Sequence, residues 1–132
     1  MKAGGRLTVG IAALLCCVVL PRLAAASELR RFAVIVAQPD GGPGTQTLRW
    51  AERDARKVRD VLIELGGFAE PDAALLLSPS APALLAALER AEQQAQRVAA
   101  TPGNQALLLF YYSGHAAGGE LRLGREIGRA HV

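Results

Sequence analysis

Phe32-Ala33-Val34-Ile35-Val36-Ala37 is an unbroken apolar run rich in β-branched side chains. A run without polar alternation predicts a strand buried on both faces, as in a parallel sheet. Pro39-Asp40-Gly41-Gly42-Pro43-Gly44 ends it in a turn-rich loop. The pattern then changes period. Ala51, Ala55, Val58, Leu62 and Leu65 recur at helical spacing, and Glu52, Arg53, Arg56, Arg59 and Asp60 fill most of the opposite side. This predicts an amphipathic helix over 48–65, stopped by Gly66-Gly67. A short second strand is predicted over 73–77. Ser80 is placed to cap the helix that follows, and Leu84, Leu88, Ala91, Ala95 and Val98 form its apolar stripe. Thr101-Pro102-Gly103-Asn104 breaks that helix near residue 100. A third strand is predicted over 105–112. The alternation of Leu121, Arg122 and Leu123 marks the start of a hairpin over 119–124.

The order β-α-β-α-β predicts an α/β fold with a mostly parallel sheet and right-handed crossovers. The first and third strands then end on the same side, so the loops over 40–47 and 113–118 share one rim. The third strand is expected to be an unpaired apolar edge, an aggregation liability. Such an edge implies that only the first part of a larger sheet is present.

Charge and composition alter the reading at both ends. Lys2 and Arg6 precede an apolar stretch over 7–20, Pro21 breaks it, and Ala24-Ala25-Ala26 supplies the small residues a signal peptidase reads. Residues 1–26 therefore read as a signal peptide, and the protein is expected to be exported, to the bacterial periplasm or medium. A membrane is expected as a partner only through this leader, if it stays uncleaved. The formal charge of +3 resides in Lys2, Arg6 and Arg22, because 1–26 holds no acid. From Ser27 onward basic and acidic residues balance, which removes the electrostatic case for nucleic-acid binding. Both cysteines, Cys16 and Cys17, also lie in the leader. Disulfides and thiolate metal sites are thus excluded from the segment that follows. At the other end, Glu126-Ile127-Gly128-Arg129-Ala130-His131-Val132 back-translates as GAG-ATC-GGA-AGA-GCA-CAC-GTC, the start of a widely used sequencing adapter. Residues 126–132 are accordingly expected to be a non-native tail, with no role for His131. The domain proper is then 27–125, and it is incomplete.

The candidate chemistry lies in Tyr111-Tyr112-Ser113-Gly114-His115-Ala116, directly after the third apolar run. Parallel strands deliver catalytic groups at their C-terminal ends, and His115 sits at such an end, in what reads as a flexible Ser-Gly turn. A histidine so placed usually serves a nucleophile, and the segment after the leader offers no credible one. One histidine without cysteines falls short of a standard metal ligand set, so no metal and no cofactor is expected.

Three segments together resemble a known family: Phe32 to Ala37, then Leu48-Arg49-Trp50-Ala51-Glu52-Arg53-Asp54-Ala55, then Leu107-Leu108-Leu109-Phe110-Tyr111-Tyr112-Ser113-Gly114-His115. Over about residues 30–125 the chain resembles the first part of a caspase-type peptidase domain, nearest to the bacterial and metacaspase branch. The resemblance implies a three-layer, Rossmann-like caspase fold and cysteine endopeptidase chemistry on a polypeptide substrate. His115 would match the catalytic histidine. The cysteine would lie on the next strand, in an Asp-x-Cys-x-Ser type segment, about 50 residues on in caspases and so past Val132. The backbone after the histidine helps hold the oxyanion in the family, which points to Gly114 and to the Ala116 N–H, where a glycine is usual. Asp54 and Ser113 map onto the S1 pocket of relatives that cut after Arg or Lys. Ala51 stands where those relatives often carry a cysteine. The chain as given would then be inactive, holding one half of a Cys–His dyad. Calcium assists some relatives through acidic residues beyond this segment.

Other readings remain open on the residues alone. His115 can be a structural histidine at a strand end. Asp54 can be a solvated carboxylate beside Arg53 or Lys57, and Ser113 a turn hydroxyl capping local backbone. A non-catalytic caspase-like binding module would share every feature above. Gly114-His115-Ala116-Ala117-Gly118 copies a hydrolase nucleophile elbow with alanine in place of serine, as in an inactive α/β-hydrolase-like protein. Gly41-Gly42-Pro43-Gly44 is rich enough in glycine for a phosphate loop, but no Lys-Ser/Thr follows it. Trp50 is expected to pack under the first helix, and Tyr111 and Tyr112 to be half-buried strand residues.

Overall fold

The computed structural model describes residues 27–124; the leader read at 1–26 and the tail read at 126–132 lie outside the described residues. The apolar run forms the middle of β1 (Leu29–Gln38). It is flanked by β2 (Ala73–Leu77) and β3 (Gln105–Gly114), in the order β2-β1-β3, with both pairings parallel. Between them run α1 (Ala51–Glu64) and α2 (Ala81–Ala99). This is the α/β architecture expected, with a helix on each face of the sheet.

The two crossovers travel in opposite directions across the sheet, and a common hand therefore places their helices on opposite faces. Side-chain alternation divides β1 accordingly. Ala33, Ile35 and Ala37 pack with Ala51 and Ala55 of α1 and with Phe68. Val34 and Val36 pack with Leu84, Ala87 and Ala91 of α2. Small residues on both helices let them approach a central strand that is buried on both sides. Ile35 is fully buried at its midpoint. An Ile35→Ala substitution is expected to cost about 2–5 kcal/mol of stability, through lost transfer energy and a cavity. Urea denaturation with an unchanged m-value is the measurement.

At the opposite end from the strand tips, Arg30 grips Asp72 with two hydrogen bonds, Nε to Oδ2 at 2.7 Å and an Nη to Oδ1 at 3.0 Å. The Asp72 carboxylate is almost wholly buried. Its hydrogen bonds, and then its charge, hold the Arg30 guanidinium above its ordinary pKa. The contact pins the 3₁₀ turn over Glu70–Asp72 to β1 and so sets the start of β2.

Three boundaries differ from expectation. α1 begins at Ala51, not at residue 48: residues 48–51 form a turn, with the Ala51 N–H on the Leu48 carbonyl at 3.3 Å, while the Leu48 N–H donates to the Pro39 carbonyl at 2.9 Å and closes the preceding loop. β3 continues through Ser113 and Gly114, because β1 extends to Gln38 and pairs with it to the end. The flexible Ser-Gly turn is therefore strand. The hairpin also starts earlier than expected. β4 (Ala116–Ala117) and β5 (Glu120–Leu121) pair around Gly118-Gly119. Both glycines have positive φ, as a tight I′-type hairpin turn requires. Among the described residues β3 pairs only with β1, and Leu107, Leu108 and Phe110 along it are exposed. The apolar edge is as anticipated.

Candidate active site

The loop leaving β1 and the residue leaving β3 meet at the rim. The loop is built by its own hydrogen bonds. The Asp40 carboxylate accepts from the Gly42 N–H at 2.9 Å. Thr45 closes on the Gly42 carbonyl through its N–H at 3.2 Å and its hydroxyl at 2.8 Å. Leu48 packs into the cluster beneath α1. These contacts hold the Gln46 carbonyl 2.8 Å from Nε2 of His115. A carbonyl only accepts, so Nε2 carries the proton and Nδ1 is the nitrogen left for chemistry. The imidazole lies flat on the loop at Gly41, where an added Cβ would stand 2.5 Å from both Cγ and Cδ2. His115 is thus half-buried, oriented and of defined tautomer.

The other side of His115 is held by a clamp. The Tyr112 ring folds along β3 over Gly114, where a Cβ would come within 2.5 Å of its Cζ and hydroxyl. Gly114 is therefore needed for space, in extended backbone, rather than for a sharp turn. The Tyr112 hydroxyl donates to the Arg122 carbonyl at 2.5 Å and reaches the His115 carbonyl at 3.1 Å. Arg122 returns its N–H to that same His115 carbonyl at 2.9 Å. Burial pushes the Tyr112 phenol above its ordinary pKa, so it remains a donor at neutral pH. Next along the chain, Leu123 is buried against Val34, Val36 and Leu84 and anchors the returning strand. Nearby, buried Gln38 donates from Nε2 to the Asp40 carbonyl at 3.0 Å, while its Oε1 has no hydrogen-bond partner among the described residues.

Ser113 and Asp54 are placed less tightly. Ser113 pairs laterally with Ala37. It shares strand parity with Leu109 and Tyr111, which face α1. Asp54 lies early in α1, half-exposed, with a long 3.9 Å ion pair to Arg53. Both belong to the α1 side of the sheet, as His115 does by the same parity, but no hydrogen bond joins them to His115 or to each other among the described residues. Ser113 makes no capping bond to local backbone there. Trp50 is not under the helix. It is 56% exposed, with the Arg53 guanidinium 4.1 Å from its ring centroid. Among the described residues no group of three or more His, Cys, Asp or Glu is placed to hold a metal ion.

Gly41, the Gln46 carbonyl and the Tyr112 clamp escaped sequence reasoning. Gly41 was one of several loop glycines, a main-chain carbonyl leaves no mark on residue type, and Tyr112 reads as any strand tyrosine.

The caspase-domain family of C14 peptidases matches residues 30–126. The chain belongs to that family. No curated protein and no solved structure matches it. The matched span takes in the sheet, its two helices and the rim where His115 lies. The hydrolase-elbow reading fails on geometry, since an elbow needs a strand-to-helix turn and His115 leads into a hairpin. The phosphate-loop reading fails as well, because the space over Gly41 is taken by His115 and that over Gly42 by the Gly124 carbonyl.

Proposed function

We propose that this caspase domain contributes the histidine half of a Cys–His endopeptidase site, with the cysteine supplied by sequence outside these 132 residues. The observation that carries the reading is the His115 imidazole, fixed through Nε2 on the Gln46 carbonyl with Nδ1 uncommitted, at the C-terminal rim of a parallel sheet. A thiolate brought to Nδ1 attacks the scissile carbonyl, and the imidazolium then protonates the departing amine. The Gln46 carbonyl accepts from Nε2–H throughout and so favours the cation. The oxyanion is held by the Ala116 N–H, with Gly114 giving the Tyr112 ring room beside it. Asp54 and Ser113 line the pocket for a basic residue, and cleavage follows Arg or Lys in a polypeptide. Residues 1–26 export the protein.

A non-catalytic caspase-like module would share this fold without the cysteine chemistry. One experiment separates the two readings. The full-length protein is assayed on fluorogenic peptides with Arg, Lys or Asp at the cleaved bond, with and without iodoacetamide. Cleavage after Arg or Lys that iodoacetamide abolishes is the expected result. No cleavage, or cleavage indifferent to iodoacetamide, would overturn the peptidase reading.

A further inference from the structure

Among the described residues the Tyr112 hydroxyl hydrogen-bonds to main-chain carbonyls, not to the imidazole or to the loop that orients it. It acts on main-chain atoms on the far side of His115. The His115 carbonyl accepts from Arg122 N–H at 2.9 Å and lies 3.1 Å from the Tyr112 hydroxyl. That carbonyl belongs to the peptide unit whose N–H is that of Ala116. A trans peptide is planar, with C=O and N–H pointing in opposite directions, so fixing the carbonyl aims the N–H.

Hairpin register shows that this N–H is not used within the hairpin. Ala116 pairs with Leu121, and Ala117 with Glu120. Antiparallel pairs alternate between hydrogen-bonded and non-hydrogen-bonded types. The bond from Arg122 N–H to the His115 carbonyl brackets the Ala116–Leu121 pair, which makes it the non-hydrogen-bonded type. The Ala116 N–H therefore points away from β5, from an exposed residue next to the imidazole. The Tyr112 hydroxyl also holds the Arg122 carbonyl at 2.5 Å. It thus ties both sides of the hairpin mouth to the end of β3.

We propose that Tyr112 is a positioning residue for the oxyanion site: its single hydroxyl proton, donated chiefly to the Arg122 carbonyl and shared with the His115 carbonyl, fixes Arg122, whose N–H holds the His115 carbonyl, and so aims the Ala116 N–H at the reacting carbonyl. This rests on the peptidase reading above and adds a residue to it. It also explains Gly114, whose missing side chain lets the Tyr112 ring lie along the strand to reach both carbonyls.

The test is Tyr112→Phe in the full-length protein, which keeps the ring and removes the hydroxyl. Two reactions of the same thiol are compared. Peptide cleavage passes through an oxyanion, whereas alkylation by iodoacetamide is a displacement at carbon that needs the thiolate but no oxyanion donor. Loss of an oxyanion donor outright costs about 10²–10³ in kcat. Misaiming one is expected to lower kcat by about 10–100-fold, with KM within about twofold and the alkylation rate unchanged. An unchanged kcat would overturn the proposal. So would a parallel fall in kcat and alkylation rate, which would place Tyr112 behind the dyad or the fold instead. A wild-type protein that neither cleaves nor is alkylated would remove the peptidase reading itself, and the proposal with it. NMR supplies a readout independent of activity. The Ala116 amide resonance is expected to move in Tyr112→Phe while those of Ala33 to Ala37 stay in place; an unmoved Ala116 resonance would also overturn the proposal.

Discussion

Replacing His115 with alanine is expected to lower peptide cleavage by the full-length protein by about 10²–10⁴-fold, the usual contribution of a positioned general acid–base. The loss should fall on kcat, because in the proposed mechanism the imidazole moves a proton to the leaving amine and does not line the pocket that selects the substrate. Stability should change little. His115 is half-buried outside both core clusters, its ring resting on the loop at Gly41 rather than among apolar side chains. Substitutions away from the core and from buried networks usually stay within about 0.5 kcal/mol. Kinetics on a fluorogenic peptide, with a thermal melt of the same sample, separate the two effects. Retained cleavage would remove His115 from the mechanism. A large fall in melting temperature would instead assign it to the fold.

The parts of this structure that were legible in sequence are those where one physical requirement governs residue type. A strand buried on both faces must be apolar at every position, and residues 32–37 are. A helix against a sheet needs an apolar stripe at its own period, and α2 has one, with Ser80 accepting from the Ala83 N–H at its start as a cap should. The limits of β2 followed because turn-forming residues bound it closely on both sides. Where several requirements compete, residue type misled. Gly114 suggested a turn, since glycine is the usual choice for one. Here it answers to the Tyr112 ring, which needs the space a side chain would take. Leu48 fits the period of α1, but its carbonyl is taken by the Ala51 N–H in a turn and the helix starts three residues later. Leu65 continues the same stripe and yet is exposed past the helix end. At the site, His115 could be singled out as a candidate because imidazole chemistry is bound to a residue type. Its orienting partner, the Gln46 carbonyl, is one that any residue at 46 would offer. Only the path of the 39–50 loop selects it, and that path depends on bonds among Asp40, Gly42, Thr45 and Leu48 that no single residue announces.

That loop is also where the second large effect is expected. Gly41→Ala should lower cleavage by about 10²-fold, the cost of a misplacement of about 1 Å at a reacting group, although alanine adds only a methyl group and the position is remote in sequence from His115. A Cβ at residue 41 would stand 2.5 Å from the ring Cγ and Cδ2, and 2.8 Å from the Cβ of His115 itself. Rotation of the imidazole about χ1 leaves its own Cβ where it is, so a side-chain swing cannot relieve the clash. Loop and strand end must move apart, and the 2.8 Å bond between Nε2 and the Gln46 carbonyl lies directly between them. Losing it frees the tautomer and the ring angle together, so the fall is expected in kcat. Gly44→Ala is the contrasting variant. Nothing lies within 4 Å of a Cβ there, but its φ of 79° is left-handed, which costs a non-glycine residue about 1–2 kcal/mol. It should lower the melting temperature and leave kcat intact, whereas Gly41→Ala should strike kcat harder than stability. Equal kcat in wild type and Gly41→Ala would mean that the His115 pose against Gln46 is not the one that transfers the proton.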